Sequence, residues 1–166
     1  DSIAVMMDNH PALLAMVAAC AKIGVIAALL NTNQRGEILK HSLKTVEAKG
    51  VIIGAEHMAT FQTSAPDFAG VILGYGTDAL GAKKENLADS QRWESDQNLP
   101  ETAQTRLGET AFYILTSGTT GMPKASRMSH LRWRKAMAGM GMGTMALNEK
   151  DVVYCCLPLY HNNGLT

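Results

Sequence analysis

The chain has 166 residues, 46% of them hydrophobic and 18% charged, with 15 Lys and Arg against 15 Asp and Glu. This apolar content excludes intrinsic disorder, and the length suits one folded unit that buries its own core. Zero net charge without a dense Lys/Arg block excludes a surface built for nucleic acid, and points to small-molecule or protein partners.

The three cysteines, Cys20, Cys155 and Cys156, are odd in number and lack the spacing of a zinc site or a disulfide framework. They are expected to be small buried side chains in a reducing, cytoplasmic compartment. The first residue is Asp1 and the last is Thr166. Neither reads as a natural terminus, so a piece of a longer chain is expected. No basic, apolar and small-residue succession of a signal peptide is present at the start.

Taken in chain order, Ile3 to Met7 reads as a strand. Pro11 to Leu30 matches a membrane span in length but contains Lys22, which would cost about 2.5–3.5 kcal/mol at mid-bilayer. Splitting the stretch removes that cost: Asn9 caps a helix over 11–22, Gly24 closes it, and Val25 to Leu30 becomes a buried strand. A second helix is predicted from Arg35 to Lys49, with Ile38, Leu39, Leu43 and Val46 on one face and Gly50 as its stop. Strands at 51–53 and Gly70 to Leu73 follow. The strands are continuous apolar runs, which fits an α/β fold of layered βαβ units whose parallel sheet has helices on both faces. Residues 1–74 form this part. Residues 75–110 are a polar excursion without apolar period, and residues 111–166 carry the informative motifs.

Ala111 to Leu115 reads as a buried strand that breaks into Thr116-Ser117-Gly118-Thr119-Thr120-Gly121-Met122-Pro123-Lys124. Two glycines free the backbone to turn and present N–H groups, four hydroxyls add compact donors, and one lysine supplies a cation. That composition suits a polyphosphate. It is not a Walker A loop, because Pro123 separates the second glycine from Lys124 and Ala125 follows. Lys124 to Met128 is expected to pair back as a second strand before a helix begins near Ser129. Met137, Met140, Met142 and Met145 make a stripe that is read as core, with Gly139, Gly141 and Gly143 each weakening the helix by about 1 kcal/mol. Trp133 is expected to be half-exposed.

Tyr113-Ile-Leu-Thr-Ser-Gly-Thr-Thr-Gly-Met-Pro-Lys124 resembles the AMP-binding signature of the adenylate-forming acyl-CoA synthetase superfamily. Leu157-Pro158-Leu159-Tyr160-His161-Asn162-Asn163-Gly164 is similar to the next core motif of that family. Ala21 to Gly24 with Leu30 to Asn33 is similar to the segment closing its first βαβ unit. The Leu-Pro-Leu-Tyr-His form and Ala125, which stands where a glycine is common, resemble the branch of fatty acid transport proteins and very-long-chain acyl-CoA synthetases.

The resemblance implies part of a large N-terminal domain of a fatty acid–CoA ligase. A carboxylate would attack the α-phosphate of ATP to form an acyl-adenylate, and coenzyme A would then displace AMP. It implies that Thr116, Ser117, Gly118, Thr119, Thr120, Gly121 and Lys124 hold phosphates, with Thr119, Thr120 and Lys124 in direct contact. It places His161 beside the reacting groups, and Tyr160, Asn162 and Gly164 with His161 at the acyl pocket. Mg2+ is implied as counter-charge, with no ligand for it among these motifs. The family's metal-binding glutamate, ribose-binding aspartate, hinge and catalytic lysine come later in its sequences, so this stretch alone is expected to be inactive. Peripheral contact with a membrane stays open at this point. So do luciferase-like, aryl and amino acid substrates, and a non-catalytic nucleotide-binding or scaffolding module.

Overall fold

The computed structural model of the chain describes residues 1–76, 84–87, 95, 97–117 and 121–165. One seven-stranded sheet dominates, in the order β5-β4-β3-β1-β2-β6-β7. Its strands are β1 (Ser2–Met6), β2 (Ile26–Leu29), β3 (Ala48–Gly54), β4 (Val71–Tyr75), β5 (Lys84–Asn86), β6 (Thr110–Ser117) and β7 (Pro123–Ser129). Every pairing is parallel except β6 with β7, which is antiparallel.

Helix α1 (Pro11–Lys22) packs Leu13, Met16, Val17 and Cys20 on one face of the sheet, against Val5, Leu29 and Phe112. Helices α2 (Gly36–Thr45) and α3 (Met58–Ser64) cover the other, where Leu39, Leu43, Met58 and Phe61 meet Met6, Leu30 and Ile53. Both faces are therefore buried, which is why the central strands read as unbroken apolar runs. The connections leaving β1 and β2, which are neighbours, pass to opposite faces. The carboxyl ends of those two strands thus border a topological switch point, where open α/β sheets form ligand crevices.

Several predicted boundaries change. Helix α1 starts at Pro11 as expected, but its cap is His10, whose Nδ1 accepts from Ala12 N at 3.0 Å. Asn9 is free for another task. Gly24 adopts φ +71°, the left-handed turn that ends the helix and admits glycine most readily. Helix α2 ends at Thr45 rather than Lys49, because Glu47 turns left-handed at φ 49° and the chain enters β3 at Ala48. Gly50 is therefore no helix stop. It lies within β3, where a Cβ would sit 3.1 Å from the Val71 carbonyl. Helix α3, β5 and the short 3-10 turn Pro100–Gln104 carry no clear sequence signal, the last two within the polar excursion.

Ser129 caps helix α4 (His130–Ala136) by accepting from Arg132 N at 3.2 Å. Trp133, half-buried, meets Phe112 edge-to-face with ring centroids 5.0 Å apart and so ties α4 to β6. Beyond it, residues Met137–Thr144 form a π-helix whose methionines are exposed. The stripe is not core in this chain. Three glycines and the wider turn of a π-helix, which changes the residue period, leave no methionine of this segment buried against the sheet. Cys155 and Cys156 are likewise exposed, contrary to expectation, because Asp151–Leu157 runs outside both hydrophobic clusters. Cys20 is buried, and burial pushes its thiol up to about 11.

Candidate functional site

Three chain segments meet at the carboxyl end of the sheet. The first leaves β2 as a tight turn. Asn31 Oδ1 accepts from Asn33 N at 2.8 Å, and Gln34 N donates to Asn31 O at 3.0 Å. The Arg35 guanidinium then donates to the carbonyls of Thr32 and Gln34 at 2.6 and 2.8 Å. An Asx-turn stapled by an arginine holds this corner without help from a helix.

The second segment is the β6–β7 hairpin. Ser117 faces Pro123 and Thr116 faces Lys124 across the antiparallel ladder, and Thr116 Oγ1 donates to Lys124 O at 3.4 Å. The two strands expected on either side of the loop are present and paired. Gly121 sits at φ +81°, and a Cβ added there would meet nothing within 4 Å, so backbone conformation and not space requires glycine. Gly118, Thr119 and Thr120 lie outside the described residues. Underneath, His41 of α2 reaches the Pro123 carbonyl at 3.1 Å through Nε2, linking helix and hairpin.

The third segment is Leu157–Leu165. Leu159 and Tyr160 are buried in the core cluster on the α1 side and anchor the turn. His161 N donates to Pro158 O at 3.0 Å, and the short helix α5 (Asn162–Leu165) follows. Tyr160 stacks at a tilt on His161, with ring centroids 4.7 Å apart, which leaves His161 exposed.

A cavity of about 530 Å³ opens where the three meet, with Asn31, Asn33, Leu115, Thr116, Gly121 and His161 among its lining residues. Thr116, Gly121 and His161, singled out from the sequence, are thus brought together. Lys124 instead lines a neighbouring cavity of about 520 Å³ with His41, Thr45 and Tyr113, on the α2 side of Pro123. Its exposed ammonium has no carboxylate partner among the described residues. Tyr160 serves as an anchor in the core, and Asn162 and Gly164 lie in α5 and outside the described cavity lining.

The whole chain, residues 1–166, matches the family model described as AMP-binding enzyme. The chain belongs to the AMP-binding enzyme family. It is 38% identical over its full length to a medium/long-chain-fatty-acid–CoA ligase of Mycobacterium tuberculosis, covering 27% of that protein. It is 36% identical over 99% of its length to the long-chain fatty acid transport protein 1 of Rattus norvegicus, covering 26% of it. The chain therefore spans about a quarter of the length of these relatives. The fold superposes on that of an anthranilate CoA ligase bound to anthranoyl-AMP with a TM-score of 0.86, at 18% identity, over 99% of this chain and 32% of the other. The mostly parallel sheet with helices on both faces is the fold shared with that ligase.

Sequence reasoning missed Gln34 and Ile38, which also line the cavity. Gln34 Oε1 is buried without a hydrogen-bond partner among the described residues. Ile38 was assigned to the apolar face of α2 yet is 44% exposed. The helical period alone cannot distinguish a core wall from a cavity wall, because both demand an apolar side chain on an inward arc.

Proposed function

We propose that this chain forms the ATP- and acyl-binding part of a fatty acid–CoA ligase. The observation that carries the reading is the convergence of the hydroxyl-rich hairpin, the Asn31 turn and His161 on one cavity at the carboxyl end of β2 and β6. A carboxylate is a poor acyl donor. One of its oxygens attacks the α-phosphorus of ATP, the new O–P bond forms, and the bond to pyrophosphate breaks. The thiol sulfur of CoA then attacks the acyl carbon, loses its proton, and AMP departs.

In this chain the hairpin's N–H and hydroxyl groups supply donors to phosphate oxygens, and Lys124 adds an exposed cation from the flanking cavity. Thr119, Thr120, Ser117 and Gly118 belong to the same loop by sequence. His161, which lines the cavity, and Asn162 and Gly164, which follow it in the chain, are assigned to the acid. A hard divalent cation takes oxygen ligands, usually with carboxylates, and the described cavity lining holds no carboxylate. These residues would therefore hold no Mg2+ by themselves; an ion bound with ATP would supply counter-charge to the phosphates, and no step here is routed through it. The named relatives are a medium/long-chain-fatty-acid–CoA ligase and a long-chain fatty acid transport protein, which supports a long-chain fatty acid as the substrate; a cytoplasmic protein meeting it at a membrane's inner face is part of the same proposal. Among the described residues no helix is long and apolar enough to cross a membrane.

The test is ATP/pyrophosphate exchange by the intact protein with fatty acids of increasing length, aryl acids and amino acids. Exchange should rise with one class of fatty acid and fall about 10- to 100-fold in Lys124→Ala. ATP binding without exchange on any acid would replace this reading with a non-catalytic nucleotide-binding module. Exchange confined to aryl or amino acids would move the substrate class.

A further inference from the structure

Asn9 follows β1 and precedes the cap of α1, and its side chain does not serve the helix. Its Nδ2 donates to Leu157 O at 2.8 Å, and its Oδ1 accepts from Leu159 N at 2.8 Å. One planar amide thus bonds the carbonyl before Pro158 and the N–H after it, as a neighbouring strand would. The contact spans 150 residues of sequence. The two residues on either side of Asn9 are also fixed: His10 caps α1, and Asp8 accepts from His57 Nε2 at 2.8 Å, so the clamp is held in place at the carboxyl end of β1.

What the clamp holds is the base of the His161 turn. His161 N bonds Pro158 O, and Gly164 packs so closely that a Cβ there would lie 2.5 Å from the same oxygen. The chain before it, Val152 to Leu157, is exposed and gives no support. Burial of Leu159 and Tyr160 fixes how deep the turn sits. Burial is non-directional, whereas two hydrogen bonds from one rigid amide also fix its rotation. We propose that Asn9 is a positioning residue for the acyl side of the site, setting the orientation of His161 toward the cavity without touching the reacting groups. This rests on the fatty acid–CoA ligase reading.

The test compares Asn9→Ala, Asn9→Asp and His10→Ala in the intact protein. His10→Ala is the control, since it removes the adjacent helix cap and leaves the clamp. Two readouts are taken: steady-state constants for the acid and for ATP, and hydrogen exchange at the Leu159 amide. Asn9→Ala should raise the acid KM or lower its kcat/KM about tenfold with the ATP KM unchanged, and speed Leu159 exchange about tenfold. Asn9→Asp keeps the acceptor for Leu159 and loses the donor to Leu157, so exchange should stay slow while kcat/KM recovers only in part. Equal losses for acid and ATP, the same losses in His10→Ala, or Leu159 exchange unchanged in Asn9→Ala would each overturn the proposal. If the wild-type protein shows no acid-dependent exchange of pyrophosphate, the ligase reading falls and takes the positioning role with it, while the Leu159 amide still reports whether the clamp exists.

Discussion

Replacing Gly164 by Ala tests how tightly the His161 turn is wound. A Cβ at that position would lie 2.5 Å from Pro158 O, 3.0 Å from Pro158 C and 3.3 Å from Leu157 O, all backbone atoms. Moving out to 3.0 Å requires a retreat of at least 0.5 Å, and no flexible side-chain end is available to yield. The two oxygens pressed are the acceptors for His161 N and for Asn9 Nδ2, so relief must lengthen the bonds that shape the turn. Overpacking of this kind costs about 1–3 kcal/mol. Part of it should be released locally, because α5 has four residues and none is buried. Urea unfolding of the intact protein should therefore show a loss near the lower figure, with the acid KM raised about tenfold and the ATP KM unchanged. Gly108→Ala is the control, since nothing lies within 4 Å of a Cβ there. If Gly164→Ala matches Gly108→Ala in both stability and acid KM, the turn is not packed as described and the reasoning fails.

Phe112, fully buried and edge-on to Trp133, should cost about 3–5 kcal/mol as Phe112→Ala and change the Trp133 fluorescence; a loss under about 1 kcal/mol would show that α4 is not anchored there. Cys20 yields a pH prediction. Its folded thiol is raised to about 11 from an ordinary 9.0 by burial, so the fold holds the proton more tightly than the unfolded chain. The associated stability is complete below about pH 9 and is lost as pH rises toward 11, by at most about 2–3 kcal/mol. Urea midpoints at about pH 8 and about pH 10.5 should diverge less in Cys20→Ala than in the wild type; equal divergence would refute the assignment.

Much of this protein was legible in local chemistry. Pro11 after a polar pair and Gly24 after an apolar helix mark their own boundaries, because fixed φ at proline and left-handed φ at glycine are properties of single residues. The unbroken apolar runs of β1, β2 and β6 announce a sheet covered on both faces. The hydroxyl and glycine content of 116–124 raises the expectation of a phosphate loop from residue types alone, and the expected return strand is present as Pro123–Ser129, antiparallel to Thr110–Ser117.

Other features depend on contacts between residues far apart in the chain. Helix α2 stops at Thr45 because Ala48 is drawn into the ladder beside Ser2, which overrides a helical pattern that continues to Lys49. The Met137–Met145 stripe and the Cys155–Cys156 pair are apolar by sequence and exposed in this chain, since hydrophobicity states a preference for burial but not whether a partner surface is within reach. Asn9 carries the clearest case. Two residues before Pro11 it reads as the cap of the helix, yet the cap is His10, and the Asn9 amide is committed to a turn 150 residues away. Residue type determined that the amide must find partners; only the packing of β1 against the Leu157–His161 turn decided which ones.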